Sequence, residues 1–244
     1  HYTFNLRDIA SVVQGCMACT HKKVTQPSDF VRLWVHESRR VFSDRFTNYD
    51  DIKYFNQMIE KKVDEKFGMK LADIGPEGKP MPDRLMFVDF LVPGTDFESR
   101  IYEDSPPMEE LQKLVEEYLD DYNSQYVPMP LVMFGDAIEH VTRISRVIRA
   151  PLGNALLLGV GGSGRKSLTR LASSIAEFNT FTIEITKSYR LVEWRDDLKS
   201  LLLKAGMDGK KMVFLFDDAQ IVDETFVEDI NNILNSGEVP NLMK

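Results

Sequence analysis

From Asp29 to Phe46 the apolar residues Phe30, Leu33, Trp34, Val41 and Phe42 recur at helical spacing, with Arg32, Glu37, Arg39 and Arg40 between them. Asp50 to Phe67 repeats the pattern through Ile52, Phe55, Ile59 and Val63, and Val12 to Thr20 is also helical. The stretch Gly75-Pro76-Glu77-Gly78-Lys79-Pro80-Met81-Pro82 cannot continue a helix, because proline lacks the amide donor and glycine adds backbone entropy, so it is a loop. The apolar run Leu85 to Val92 predicts a short strand or an extended packing segment, ended by Pro93-Gly94. Another helix begins near Pro106-Pro107, where prolines suit a first turn, and reaches about Tyr122 through Leu111, Leu114, Val115, Tyr118 and Leu119.

After Pro128 and Pro130 strand and helix patterns alternate. Leu131 to Arg149 predicts a helix, and Asn154 to Val160 a short apolar strand bounded by glycines. Gly164 to Phe178 is helical, Phe181 to Ile185 has β-branched strand character, and Tyr189 to Ala205 is helical again. Met212 to Phe216 is a second fully apolar run, and Asp223 to Asn235 predicts a helix stopped by Gly237. Strand, helix, strand, helix, strand implies a parallel sheet with crossover helices. Two domains follow, an α-helical one over 1–126 and an α/β one over 127–244.

The 244 residues are 43% hydrophobic and 28% charged, which excludes collagenous, low-complexity and disordered classes. No stretch approaches the roughly 20 uninterrupted apolar residues of a membrane-spanning helix, and the first residues lack a signal-peptide pattern, so an intracellular, membrane-free chain is expected. The chain begins with His1 instead of Met and is expected to be a piece of something longer. Cys16 and Cys19 cannot form a disulfide framework. Their CxxC spacing, with His21 behind it, raises a metal or redox site, but no second ligand pair stands nearby and a structural role is expected. The net charge of −8 is concentrated between Asp96 and Asp121, a run that suits a solvated helix face. Glu139 to Arg170 holds Arg143, Arg146, Arg149, Arg165, Lys166 and Arg170 against one acid, a local positive field and not the broad stripe of a nucleic-acid binder.

The chemistry sits in that basic region. Gly159-Val160-Gly161-Gly162-Ser163-Gly164-Arg165-Lys166-Ser167 lies between an apolar run and a helix, the context in which a glycine-rich loop cradles phosphate. Glycines let successive amides turn toward the anion, and the following helix adds the positive end of its dipole. Against the pattern GxxxxGK[ST], Gly159 and Gly164 fit and the next two positions do not. Arg165 stands where lysine reaches the β- and γ-phosphates; a guanidinium binds phosphate but is bulkier. Lys166 stands where a hydroxyl ligates Mg²⁺, and an ammonium has no lone pair and repels the cation. Ser167 cannot substitute, since one helical step turns a side chain by about 100°.

Val213-Phe214-Leu215-Phe216-Asp217-Asp218 is the second constellation, four apolar residues and two carboxylates, and it resembles a Walker B strand. A buried strand would deliver Asp217 at its carboxyl end beside the loop, where ligands bind in open α/β sheets, to hold Mg²⁺ directly or through water. Asp218 takes the place of the glutamate that orients water, and is one methylene shorter.

The run from Pro151 to Ala172, with Glu193-Trp194-Arg195-Asp196-Asp197 and Glu228-Asp229-Ile230-Asn231-Asn232-Ile233-Leu234-Asn235-Ser236-Gly237, resembles the fourth AAA+ module of axonemal dynein heavy chains. Upstream, His1-Tyr2-Thr3-Phe4-Asn5-Leu6-Arg7-Asp8 with Arg32-Leu33-Trp34-Val35-His36-Glu37 is similar to the helical lid of the third module. The resemblance implies an α-helical lid subdomain over 1–126, then a truncated α/β P-loop NTPase (AAA+) parallel-sheet subdomain over 127–244. It implies a part of the ATP-driven microtubule motor of the cilium or flagellum axoneme, in the cytoskeleton, with other AAA+ modules of the same chain, light and intermediate chains, and microtubules through the stalk as partners. The fourth module of the family is usually regulatory, and ATP or ADP is its ligand; Lys166 departs even from the family's own degenerate loop, which leaves Mg²⁺ open. Arg7 is similar to the lid arginine that senses the γ-phosphate of the preceding module, and Val127 and Leu131 lie where the family's base sits. An arginine finger and a later polar sensor are expected from elsewhere, so catalysis by this segment alone is not expected. A purely structural ring segment with a vestigial loop, and a separate P-loop phosphotransferase, are the alternatives.

Overall fold

The structure, a computed structural model, describes residues 2–243, Glu77 by its backbone alone. His1, the first residue of the N-terminal motif, lies outside the described residues. The chain divides into two compact units, one of residues 1–116 and 133–143, the other of residues 117–132 and 144–244.

In the first unit the first three helices start with side chains that tie the first turn to the backbone around it. Helix α1 (Leu6–Met17) opens with Asn5 accepting from the Arg7 amide at 2.8 Å while Asp8 accepts from the Asn5 amide at 2.8 Å. Helix α2 (Pro27–Phe42) has proline in its first position and Asp29 accepting from the Gln26 and Thr25 amides. Helix α3 (Tyr49–Phe67) opens on Asn48. Phe55, Ile59 and Val63 of α3 pack in one core with Val31, Leu33 and Val35 of α2. The proline-rich segment contains one short 3₁₀ turn, Pro76–Gly78. Of the run Leu85 to Val92 only β1 (Phe87–Val88) is a strand, paired antiparallel with β2 (Glu103–Asp104).

Because α2 is buried on almost every side, it carries polar residues inside, and Arg32, His36 and Glu37 among them are held by hydrogen bonds. Arg32 donates to Asp104 at 2.6 Å, to Asp29 at 3.1 Å and to the Ile74 carbonyl at 3.0 Å. The Tyr102 hydroxyl donates to buried Glu37 at 2.8 Å and lies 3.0 Å from His36 Nε2. Cys19 donates its thiol to the Tyr102 carbonyl at 3.0 Å, and no cluster of three metal-ligating side chains occurs among the described residues. Helix α4 (Met108–Gln125) buries Leu111, Val115 and Leu119 and turns its acids Glu109, Glu110, Glu116, Glu117, Asp120 and Asp121 to solvent. Helix α5 (Gly135–Arg149) begins four residues later than the apolar pattern suggests, after exposed Val132 and Phe134.

The second unit contains a parallel pair, β3 (Asn179–Phe181) and β4 (Met212–Phe214), in the register Asn179 to Met212, Thr180 to Val213 and Phe181 to Phe214. Helix α6 (Arg165–Ile175) precedes β3, α7 (Leu191–Gly206) joins the strands, and α8 (Glu224–Ser236) follows. Trp194 is fully buried and stacks on Phe226, ring centroids 4.4 Å apart and planes 9° apart, with Leu198, Phe214 and Phe216 around it. Its indole N–H donates to buried Asp229 at 2.9 Å. At the start of α7 the Tyr189 hydroxyl donates to Asp197 at 2.6 Å; burial, aided by that carboxylate, pushes the phenol well above its ordinary value.

Two expected strands differ. Asn154–Val160 is not a strand: it pairs with neither β3 nor β4, and Leu156, Leu158 and Val160 are 85%, 82% and 78% exposed. A run this apolar needs cover on both faces and a paired edge, and the described residues give it no paired edge. The strand expected at Phe181–Ile185 lies at Asn179–Phe181, because the Gln220 side-chain amide takes the Thr182 hydroxyl and the Ile183 carbonyl, at 3.1 and 2.6 Å, where pairing would have continued.

Candidate nucleotide-binding site

The glycine loop turns sharply between Gly159 and α6. Gly162 at φ +77° and Gly164 at φ +78° occupy the left-handed region, which other residues enter only with strain. The Ser163 amide closes the turn on the Val160 carbonyl at 3.3 Å. Gly164 is the N-cap of α6 and offers no side chain, so the first-turn amides of Arg165, Lys166 and Ser167 have no capping oxygen from it. Gly159, Gly161, Gly162 and Ser163 are solvent-accessible, while Gly164, Arg165 and Ser167 are half-buried. Exposed amides at the positive end of a helix dipole are what an anionic phosphate requires.

Arg165 folds back over the loop. Its guanidinium donates to the Leu157 carbonyl at 3.4 Å and the Val160 carbonyl at 3.2 Å. Both bonds are long, and a phosphate oxygen would compete well for the same donors, since charge-assisted bonds of this kind are about twice as strong as neutral ones.

Lys166 forms an ion pair with Asp217 Oδ2. The Lys166 side chain is 59% exposed and that of Asp217 12%. Asp217 follows β4 at its carboxyl end and caps the 3₁₀ turn Asp218–Gln220: its Oδ1 accepts from the Ala219 amide at 2.7 Å, and its own amide donates to Gln220 Oε1 at 2.9 Å. Gln220 is held in turn by Thr182 and Ile183 beyond β3. Asp218 is exposed, and its carboxylate accepts from the same Ala219 amide at 3.1 Å.

The structure thus brings together the loop, Lys166 and Asp217. Arg7 belongs to the other unit, exposed in the first turn of α1. Val127 is 83% exposed and Leu131 half-buried. Pattern reading missed the Gln220 latch and the Trp194 to Asp229 bond. The second had a signal: Asp229 lies three residues after Phe226 and four before Ile233, a carboxylate on the apolar face of a helix.

Mg²⁺ does not fit these residues. Oδ2 of Asp217 is covered by an ammonium and Oδ1 by a backbone amide, and the side chain at the hydroxyl position is the ammonium itself, which has donors only.

Two family models match the chain. One, described as P-loop containing dynein motor region D4, matches residues 129–244; the other, AAA+ lid domain, matches residues 1–75. Dynein axonemal heavy chain 1 of Mus musculus is 46% identical over 243 residues, and Dynein axonemal heavy chain 2 of Homo sapiens 48% identical over 246. These alignments cover 99% and 100% of this chain. The chain belongs to the axonemal dynein heavy-chain family. It spans 6% and 5% of the length of those two relatives, so it corresponds to one segment of a dynein heavy chain, a helical AAA+ lid followed by a P-loop region of the motor.

Proposed function

We propose that this segment is a regulatory nucleotide-binding AAA+ module of an ATP-driven, minus-end-directed microtubule motor in the axoneme of cilia and flagella, with weak or no hydrolysis of its own. Residues 1–126 serve as the lid of the third module and 127–244 as the large subdomain of the fourth. Its partners are the neighbouring AAA+ modules, the light and intermediate chains of the motor, and, through the stalk, the microtubule.

The observation that carries this assignment is the loop itself: a helix start with no side-chain cap at α6, two left-handed glycines, and Arg165 on bonds weak enough to exchange for a phosphate. ATP or ADP would lie with its phosphates against Gly159, Gly161, Gly162, Ser163, Gly164, Arg165, Lys166 and Ser167. Weak hydrolysis follows from the acidic pair. Asp217 is neutralised by Lys166, and Asp218, a methylene short of the usual glutamate, is folded onto the Ala219 amide and not held toward a water. Arg7 would act on the nucleotide of the preceding module. The output is then a coupling between sites, nucleotide at this loop biasing the ring, instead of a chemical step.

The test counts nucleotide per motor in the intact heavy chain and in an Arg165→Glu variant, which sets a carboxylate against the phosphates. Loss of one bound nucleotide supports the assignment. An unchanged count refutes it and leaves a structural ring segment.

A further inference from the structure

We propose that Lys166 is a tethered cation that replaces the divalent metal at this loop, so that the site takes a metal-free nucleoside diphosphate. The inference rests on the nucleotide assignment above and adds to it the ionic form of the ligand.

The Asp217 carboxylate is not a mobile surface group that a lysine happened to meet. It is fixed at the end of β4 by the Ala219 amide on Oδ1 and by the backbone bond to Gln220, whose amide is anchored beyond β3. Only Oδ2 is left to face the loop, and Lys166 occupies it from the second position of α6. A metal at this place would need Oδ2 and a hydroxyl from residue 166. It finds one already bound to a positive charge and the other absent. Seating a dication would require expelling the ammonium, and then holding the two charges close together.

The same ammonium can do part of the metal's work. It has three donors, and Asp217 uses one; with 59% of the side chain exposed, the others are free to reach a phosphate oxygen at the helix start. Together with Arg165 it gives the loop two cations against the diphosphate. A third phosphate would extend toward the carboxyl end of β4, where Asp217 and exposed Asp218 place two carboxylates against one ammonium. With no dication to screen that approach, the triphosphate is disfavoured relative to the diphosphate.

The experiment uses the intact heavy-chain motor with ADP, ATP and Mn²⁺ as probes, comparing the parent with R165E, K166S and K166Q. The isotherm of this site is the difference between parent and R165E. Its affinity for ADP is expected to change by less than about threefold between Mg²⁺ and EDTA, and to exceed that for ATP. K166S restores the hydroxyl and frees Asp217; it should bind ADP at least about tenfold tighter with metal than without, and carry one extra Mn²⁺ by electron paramagnetic resonance. K166Q, which removes the charge without supplying a ligand, should gain neither. Loss of the parent's ADP in EDTA, an Mn²⁺ ion at this site in the parent, or no Mn²⁺ gained in K166S overturns the inference while the nucleotide assignment stands. If R165E leaves the ADP count unchanged, both fall.

Discussion

Asp229→Ala isolates the bond that ties α7 to α8. Trp194 is fully buried, its N–H donates to Asp229 Oδ2 at 2.9 Å, and Asp229 is 3% exposed. Alanine leaves the indole donor without an acceptor in the core, a loss of about 1–3 kcal/mol. Against this, alanine relieves the desolvation of a buried carboxylate whose ion partner, Arg195, is 3.8 Å away and so compensates it weakly. The carboxylate's hydrogen bond is charge-assisted and the packing around Trp194 is lost as well, so a net destabilisation of about 2 kcal/mol is expected. Asp229→Asn keeps an acceptor and the shape and should cost about 0.5–1 kcal/mol. Trp194→Phe preserves a ring over Phe226 but strands the carboxylate, and should cost about 2–3 kcal/mol. In a double-mutant cycle with Asp229→Ala the coupling should be about 1.5–2 kcal/mol. The assay is urea unfolding followed by far-ultraviolet circular dichroism, because the chain has only two tryptophans and one is mutated. Equal stability of the alanine and asparagine variants, or a coupling below about 0.5 kcal/mol, would refute the reasoning.

Arg32→Met should destabilise by about 2–4 kcal/mol, since it strands Asp104 and the Ile74 carbonyl, with Arg32→Lys falling between it and the parent; denaturant midpoints decide this. The Asn5 amide, with Arg45 beside it, holds the Asp8 carboxyl below its ordinary 3.8. Its contribution to the start of α1 is therefore present above pH 3.8 and lost as pH falls through that value toward the lower folded one. Protection factors at the start of α1, corrected for the intrinsic slowing of exchange in acid, should fall in that acid window in the parent and show no such step in Asp8→Asn, and identical pH profiles would contradict it.

Helices were the most legible part of the fold because their apolar residues repeat at 3.6 and their ends carry chemical markers. Asn48 before α3 and Asp223 before α8 cap the helices the pattern predicts there. Strands were harder. Asn154–Val160 reads as a buried strand because periodicity reports only that its side chains are apolar; whether an edge is available for pairing is a property of the tertiary structure. The two-residue displacement of β3 has the same origin, since a side chain 37 residues on, Gln220, takes the Ile183 carbonyl that would have extended the ladder. At the site, the sequence places Lys166 and Asp217 on two separate motifs and shows that an ammonium repels a metal. It does not show that the two side chains meet, because their pairing depends on the β4 register and on the turn that aims Asp217.

We propose that the glycine loop holds nucleotide with a lysine in place of the metal. A density map of the intact motor ring prepared with ADP and Mg²⁺ tests it most directly. The expected result is a diphosphate over Gly159 to Ser167, with the Lys166 ammonium between its terminal phosphate and Asp217. An empty loop, or a hydrated metal ion on Asp217 with Lys166 turned away, would contradict it.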